Sequence, residues 1–126
     1  MLDHITFGVT DFDRSVRFYD QAFAPLGVRR LFEVPGASAR STGYGDHRPW
    51  FWIVGAAPTS GMMHVALTAS SRAEVDAFHR EALAAGGTDN GDPGLRPQYH
   101  PGYYGAFVLD PDGHNIEAVF HDPSAS

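Results

Sequence analysis

The 126-residue chain contains no cysteine. That removes disulfides, thiolate nucleophiles and thiolate metal sites together, and it leaves His, Asp, Glu and Tyr as the side chains able to ligate a metal. Positive charge is also scarce: nine Lys plus Arg face fifteen Asp plus Glu, for a formal net charge of −6. The cations are scattered, so there is no electrostatic footprint for a phosphate backbone, and nucleic acid is not an expected partner. No apolar run reaches membrane-spanning length and no basic segment leads into one. Neither membrane insertion nor export is therefore expected, and cytoplasmic residence is the default expectation. A composition 43% hydrophobic and 19% charged suits one core, hence a single domain over residues 1–126.

What the chain does have is a repetition. His-Ile-Thr-Phe-Gly-Val from His4 matches His-Val-Ala-Leu-Thr-Ala from His64, and the same offset lays Phe18 on Phe78, Ala22 on Ala82 and Gly27 on Gly87. Each copy reads as strand, helix, then three strands, with module one at about 1–58 and module two at about 61–122. In the first, Leu2–Val9 alternates as a strand. Asp11 caps a helix to about Ala24 whose stripe is Val16, Tyr19, Phe23 and Leu26. Strands follow at Val28–Val34, Ala39–Tyr44 and Trp50–Val54, divided by turns at Pro35-Gly36 and Gly45-Asp46. In the second, Met62–Ala69 is a strand, and Ser71 caps a helix with the stripe Val75, Phe78, Ala82 and Leu83, stopped by Gly86-Gly87. The Gly- and Pro-rich stretch Asn90–Gly102 supports only a short strand near Thr88–Asn90. Tyr104–Leu109 and Asn115–Phe120 then flank a hairpin turn at Asp110-Pro111-Asp112-Gly113.

Alternation decides which side chains share a face. With Ile5 and Phe7 toward the helices, His4 and Thr6 lie opposite; the same parity places His64 opposite Val65 and Leu67, and Glu117 opposite Ile116 and Ala118. Two imidazoles and a carboxylate thus share the face away from the helices, and His4, His64 and Glu117 form a candidate divalent-metal site with positions left open for water or substrate.

The repeat, the two leading histidines and the ending Asp-Pro-Asp-Gly-His-Asn-Ile-Glu together resemble the vicinal oxygen chelate superfamily, which includes glyoxalase I, extradiol dioxygenases, fosfomycin resistance enzymes and bleomycin resistance proteins. The resemblance covers nearly the whole chain. It implies an α+β fold of two βαβββ modules forming a cup-shaped mixed sheet with helices on the outer face, a homodimer, and metal ligation by His4, His64 and Glu117. The metal would be Fe, Mn, Zn or Ni. The chain departs from glyoxalase I, where a glutamate on the last strand of the first module is a fourth ligand, because the matching stretch here is Trp50-Phe51-Trp52-Ile53. That disfavours glyoxalase I proper and leaves a three-ligand set like that of the dioxygenases and fosfomycin enzymes. With only Arg96 as a cation in the loop before the last hairpin, a phosphonate substrate is disfavoured as well.

Other residues are candidates for the walls of the site. Tyr44, Trp50, Trp52, Tyr99, His100, Tyr103 and Tyr104 suit an apolar or aromatic small molecule, and Thr6, Arg40 and Arg96 could orient one. His100 and Tyr104 are the candidates for proton transfer in a dioxygenase-like or lyase/isomerase-like reaction. Each has a plainer reading. Trp50 and Trp52 could be core or dimer-interface packing, and exposed arginines are common. His47, His79, His100, His114 and His121 have no histidine at the equivalent repeat position. The rival functional class is a noncatalytic small-molecule binding protein of the bleomycin resistance type.

Overall fold

The computed structural model describes residues 1–34 and 39–124. The turn expected at Pro35-Gly36 lies outside the described residues. After β1 (Ile5–Val9), the Asp11 carboxylate accepts a hydrogen bond from the Arg14 amide and starts α1 (Phe12–Phe23), satisfying one of the unpaired N–H groups of the first turn. The buried positions Phe12, Val16, Tyr19 and Phe23 recur at helical spacing and turn the helix onto the sheet. A 3-10 turn (Ala24–Leu26) closes on Gly27, whose φ of 72° suits a residue without a side chain. β2 (Arg29–Val34), β3 (Ser41–Gly45) and β4 (Pro49–Gly55) complete the module.

The second copy repeats this order with β5 (His64–Thr68), α2 (Arg72–Ala84), β6 (Thr88–Leu95), β7 (Tyr103–Leu109) and β8 (Asn115–His121). Ser71 Oγ accepts from the Glu74 amide while the Glu74 carboxylate accepts from the Ser70 amide, so two donors at the start of α2 are satisfied reciprocally. The fold is α+β, with two four-stranded mixed sheets in the orders β1-β4-β3-β2 and β5-β8-β7-β6. β1 and β4 are parallel, as are β5 and β8, and the remaining pairs are antiparallel. β1 and β5 do not pair with each other, so the two sheets are separate ladders.

One core joins the modules, with Phe18, Tyr19, Phe23 and Phe51 from the first and Phe78, Val108 and Ile116 from the second. A polar seam crosses it. The Tyr19 hydroxyl donates to Asp110, His114 bridges Asp110 and the Thr59 carbonyl, and the Phe7 ring meets the His114 ring edge-on at 4.9 Å. The Asp110–Gly113 turn therefore does more than reverse the chain.

Two expectations are corrected. β6 continues to Leu95 rather than ending near Asn90: its pairing with β7 shifts register between Asp89 and Gly91 and again between Gly91 and Gly94. Glycines absorb those irregularities, and Pro93 is tolerated on an edge strand. On α2, Leu83 is 37% exposed whereas His79 is 8% exposed, because the buried set Val75, Phe78, His79 and Ala82 follows the i, i+3, i+4, i+7 pattern and Leu83 sits at its margin. Among the described residues no helix is long and apolar enough to cross a membrane.

Candidate functional site

The site is built on β5, β8 and β7. The parallel ladder registers His64 with Asn115 and Ala66 with Glu117, so His64 and Glu117 lie two residues apart diagonally on the face opposite α2. From there His64 Nε2 stands 2.8 Å from Glu117 Oε1. Phe107, the cross-strand partner of Glu117 on β7, shares that face and packs its ring 5.8 Å from the His64 ring. The same period brings Tyr103 and Gly105 alongside. The Tyr103 hydroxyl donates to Glu117 Oε2, and a methyl group at Gly105 would lie 3.0 Å from that oxygen. Gly105 is thus the vacancy into which the carboxylate fits.

Glu117 is fully buried and each of its oxygens has a partner, one an imidazole and the other a phenol. The chain has no lysine, and among the described residues no arginine pairs with Glu117. Burial, followed by the hydrogen bond to Glu117, pushes the Tyr103 phenol well above its usual range, so it keeps its proton. A buried carboxylate with no fixed cation is costly in a low-dielectric setting. An imidazole nitrogen beside a carboxylate oxygen, with the His64 side chain 34% exposed, is a donor set that fits a divalent cation of borderline or hard character.

The other candidates are placed as follows. His4 is exposed, its Nδ1 is 2.6 Å from Asp3, and Asp3 also accepts from Arg48 at 2.9 Å. Among the described residues its nitrogens do not group with the His64 nitrogens and the Glu117 oxygens. Among the described residues, only His79, Asp89 and Asp92 bring three possible ligand atoms all within 4.8 Å of one another. Thr6 is exposed and registers with Trp52, which lies over Gly43 and beside Phe32. Trp50 donates to Asp46 and, with Ile5, Phe51, Val65, Arg48 and His64, lines a cavity of about 420 Å³ between β1, β4 and β5. Arg96 lies over Phe107 at 5.5 Å, next to the site.

Several candidates are not brought to this face. Tyr44 registers with Phe51 on the core side and gives its hydroxyl to the Val16 carbonyl and to Asp20. The Tyr104 hydroxyl donates to Asp76 on α2, and its ring is covered by Arg72. Arg40 pairs with Asp13 and Glu33 beside Phe12. His100 stacks on His121, with a 2.8 Å contact between their nitrogens, and meets the site through the Tyr103 ring; Tyr99 likewise packs on Tyr103. The residue that touches Glu117 is thus Tyr103 rather than its neighbour Tyr104. The signal was available, because Tyr103, Gly105 and Phe107 share a strand parity that faces Glu117. Gly105, Phe107 and the His79 grouping were not singled out from the sequence.

A chain of two βαβββ modules, with a His–Glu pair on the sheet face away from the helices, defines a paired-module α+β protein. It belongs to the Glyoxalase/Bleomycin resistance protein/Dioxygenase superfamily, whose family model matches residues 1–118. A glyoxalase/bleomycin resistance protein from Albidiferax ferrireducens T118 is similar at 31% identity, covering 94% of this chain and 96% of that one, with a TM-score of 0.75. A glyoxalase-related enzyme from Fulvimarina pelagi is similar at 26% identity over 100% of this chain and 95% of that one, TM-score 0.70. Glyoxalase I from Zea mays shares the fold at 20% identity and a TM-score of 0.72, with 94% of this chain covering 43% of that one. No curated protein sequence matches the chain.

Proposed function

We propose that the protein is a divalent-metal-dependent enzyme acting on a small oxygen-bearing molecule, with His64, Glu117 and His4 as the protein ligands and a homodimer as the working assembly. The observation that carries this reading is the fully buried Glu117 carboxylate, held by His64 and Tyr103 and, among the described residues, by no arginine. When bound, the metal supplies Lewis-acid polarisation of a substrate oxygen. The protein side of the chemistry is positional. Tyr103 fixes one Glu117 oxygen and leaves the other toward His64, Phe107 keeps water from the carboxylate's flank, and Arg96 provides a cation at the rim. The missing carboxylate on β4, where Trp52 registers with Thr6, argues against the four-ligand isomerase site.

A second copy of the chain is supported by the edges of the sheets. β1 and β5 each have a single ladder partner, and Leu2 and Met62, which lie just before them, are 76% and 92% exposed. Pairing along these edges would cover both side chains and offers a way for His4 of one copy to reach His64 and Glu117 of the other. A noncatalytic binding role is the second reading. It is favoured by the separation of His4 from the His64–Glu117 pair and by the largely apolar cavity of about 420 Å³.

Titration of the untagged chain and its His64→Ala variant with Fe²⁺, Mn²⁺, Zn²⁺ and Ni²⁺ separates the two readings. Oxygen uptake on catechol-like substrates is followed with iron and manganese, and isomerase or lyase turnover with zinc and nickel. Loss of one metal equivalent in a folded variant, together with metal-dependent turnover in the wild type, supports the enzyme. Metal binding that His64→Ala does not change overturns it.

A further inference from the structure

The second sheet carries another cluster of ligating side chains, on the side opposite Glu117. His79 belongs to the buried stripe of α2, between Phe78 and Ala82, so an imidazole occupies a position where the helix pattern calls for an apolar residue. Its Nε2 points outward to β6, 2.9 Å from Asp89 Oδ1 and 3.7 Å from Asp92 Oδ1. One carboxylate would satisfy that nitrogen, and the second is surplus to a simple ion pair.

The backbone of β6 is shaped so that both acids arrive. Residues three apart on a regular strand face opposite sides of the sheet. Here the register shifts on either side of Gly91, whose φ is 152°, and Asp89 and Asp92 converge on the same imidazole. The Gly91 amide also donates to Asp89 Oδ1, while Arg96 is committed to the Asp92 carbonyl rather than to its carboxylate. All three ligand atoms lie within 4.8 Å of one another. For zinc bonds of about 2.0–2.1 Å to nitrogen and oxygen, tetrahedral geometry separates neighbouring donors by about 3.3 Å. The observed 2.9 and 3.7 Å bracket that value.

We propose that His79, Asp89 and Asp92 form a second divalent-cation site, suited to zinc, that clips α2 to the bulged strand β6. Water completes the coordination. One imidazole and two carboxylates make a borderline-to-hard donor set matching zinc or nickel better than a thiophilic metal. The site shares no residue with the His64–Glu117 pair and does not depend on that pair binding metal.

The test uses the full chain carrying His64→Ala, stripped with chelator and equilibrated with Zn²⁺, with bound zinc counted by elemental mass spectrometry and thermal unfolding followed with and without the metal. One zinc per chain is expected, together with a rise in the unfolding midpoint. Adding Asp92→Asn or His79→Gln should weaken that zinc by at least about tenfold, as loss of a ligating or orienting group typically does, and remove the rise. The Asp92 side chain is 81% exposed, so its variant folds irrespective of how His79→Gln packs. No zinc in the His64→Ala chain, or zinc that survives Asp92→Asn unchanged, overturns the proposal.

Discussion

His64 Nε2 lies 2.8 Å from Glu117 Oε1 although the two residues are not register partners: the ladder opposes His64 to Asn115 and Glu117 to Ala66. The small Ala66 leaves the space across which His64 reaches back to the carboxylate. The contact is made diagonally on one sheet face at direct hydrogen-bond distance, with the carboxylate buried and the imidazole one-third exposed.

If Glu117 is there for a cation rather than for the fold, removing its charge should spare stability and weaken metal binding at the His64–Glu117 pair. Glu117→Gln is expected to unfold in urea, with chelator present, within about 1 kcal/mol of the wild type or above it, because neutralising a buried charge relieves desolvation. Its affinity for divalent metal should drop more than about tenfold. A loss of several kcal/mol without metal would make Glu117 a structural residue.

Tyr103 should act through Glu117. Tyr103→Phe removes one hydrogen bond to a charged acceptor, which costs about 1.5–3 kcal/mol at a well-formed site, and it is expected to weaken metal binding about 10- to 100-fold while leaving the His64 contact in place. Tyr104→Phe, which cuts only the contact with Asp76 on α2, should leave metal affinity unchanged. Equal effects of the two substitutions would contradict the placement.

Gly105 is required for its lack of a side chain. Gly105→Ala places a methyl 3.0 Å from Glu117 Oε2 and 3.1 Å from the Tyr103 ring, displacing the carboxylate or the phenol. Overpacking of this kind costs about 1–3 kcal/mol, and metal affinity should fall with it. The measurement is a paired unfolding and metal titration of the variant.

The module seam predicts a pH dependence. Burial disfavours the His114 cation, but the Thr59 carbonyl and then Asp110 and Asp112 more than compensate, so its pKa lies above the ordinary 6.5. Tyr19 and Phe7 complete its surroundings, and Arg14 reaches Asp112 at 4.0 Å. A raised folded-state value means that the stabilisation is fully present below pH 6.5 and is lost as pH rises through the folded value. Unfolding free energy measured from pH 6 upward should decline more in the wild type than in His114→Gln. Parallel curves would show that the His114 proton is not coupled to folding.

Much of this was legible in the sequence because local rules and the global fold agree there. Asp11 and Ser71 cap helices as their positions require, and strand parity places His64 and Glu117 on one face. What escaped the sequence depended on packing between elements. Tyr44 and Tyr104 are aromatic like the residues expected around the site, yet they turn to the helix side, where Val16 and Asp20 take one hydroxyl and Asp76 the other. The length of β6 and the convergence of Asp89 and Asp92 depend on two register shifts that period-two reading cannot anticipate. His79 stood in the sequence only as a histidine without a repeat partner, outside the expected stripe of α2, and its burial there came from the packing of the helix. The distance of His4 from its expected companions is a property of two sheets that do not join within one chain.

The most direct test of the central claim is the metal stoichiometry of the untagged full chain and of His64→Ala, loaded side by side with one divalent metal and counted by elemental mass spectrometry after dialysis. One equivalent fewer per chain is expected in the variant, with its circular dichroism unchanged. The same stoichiometry in both proteins would contradict it.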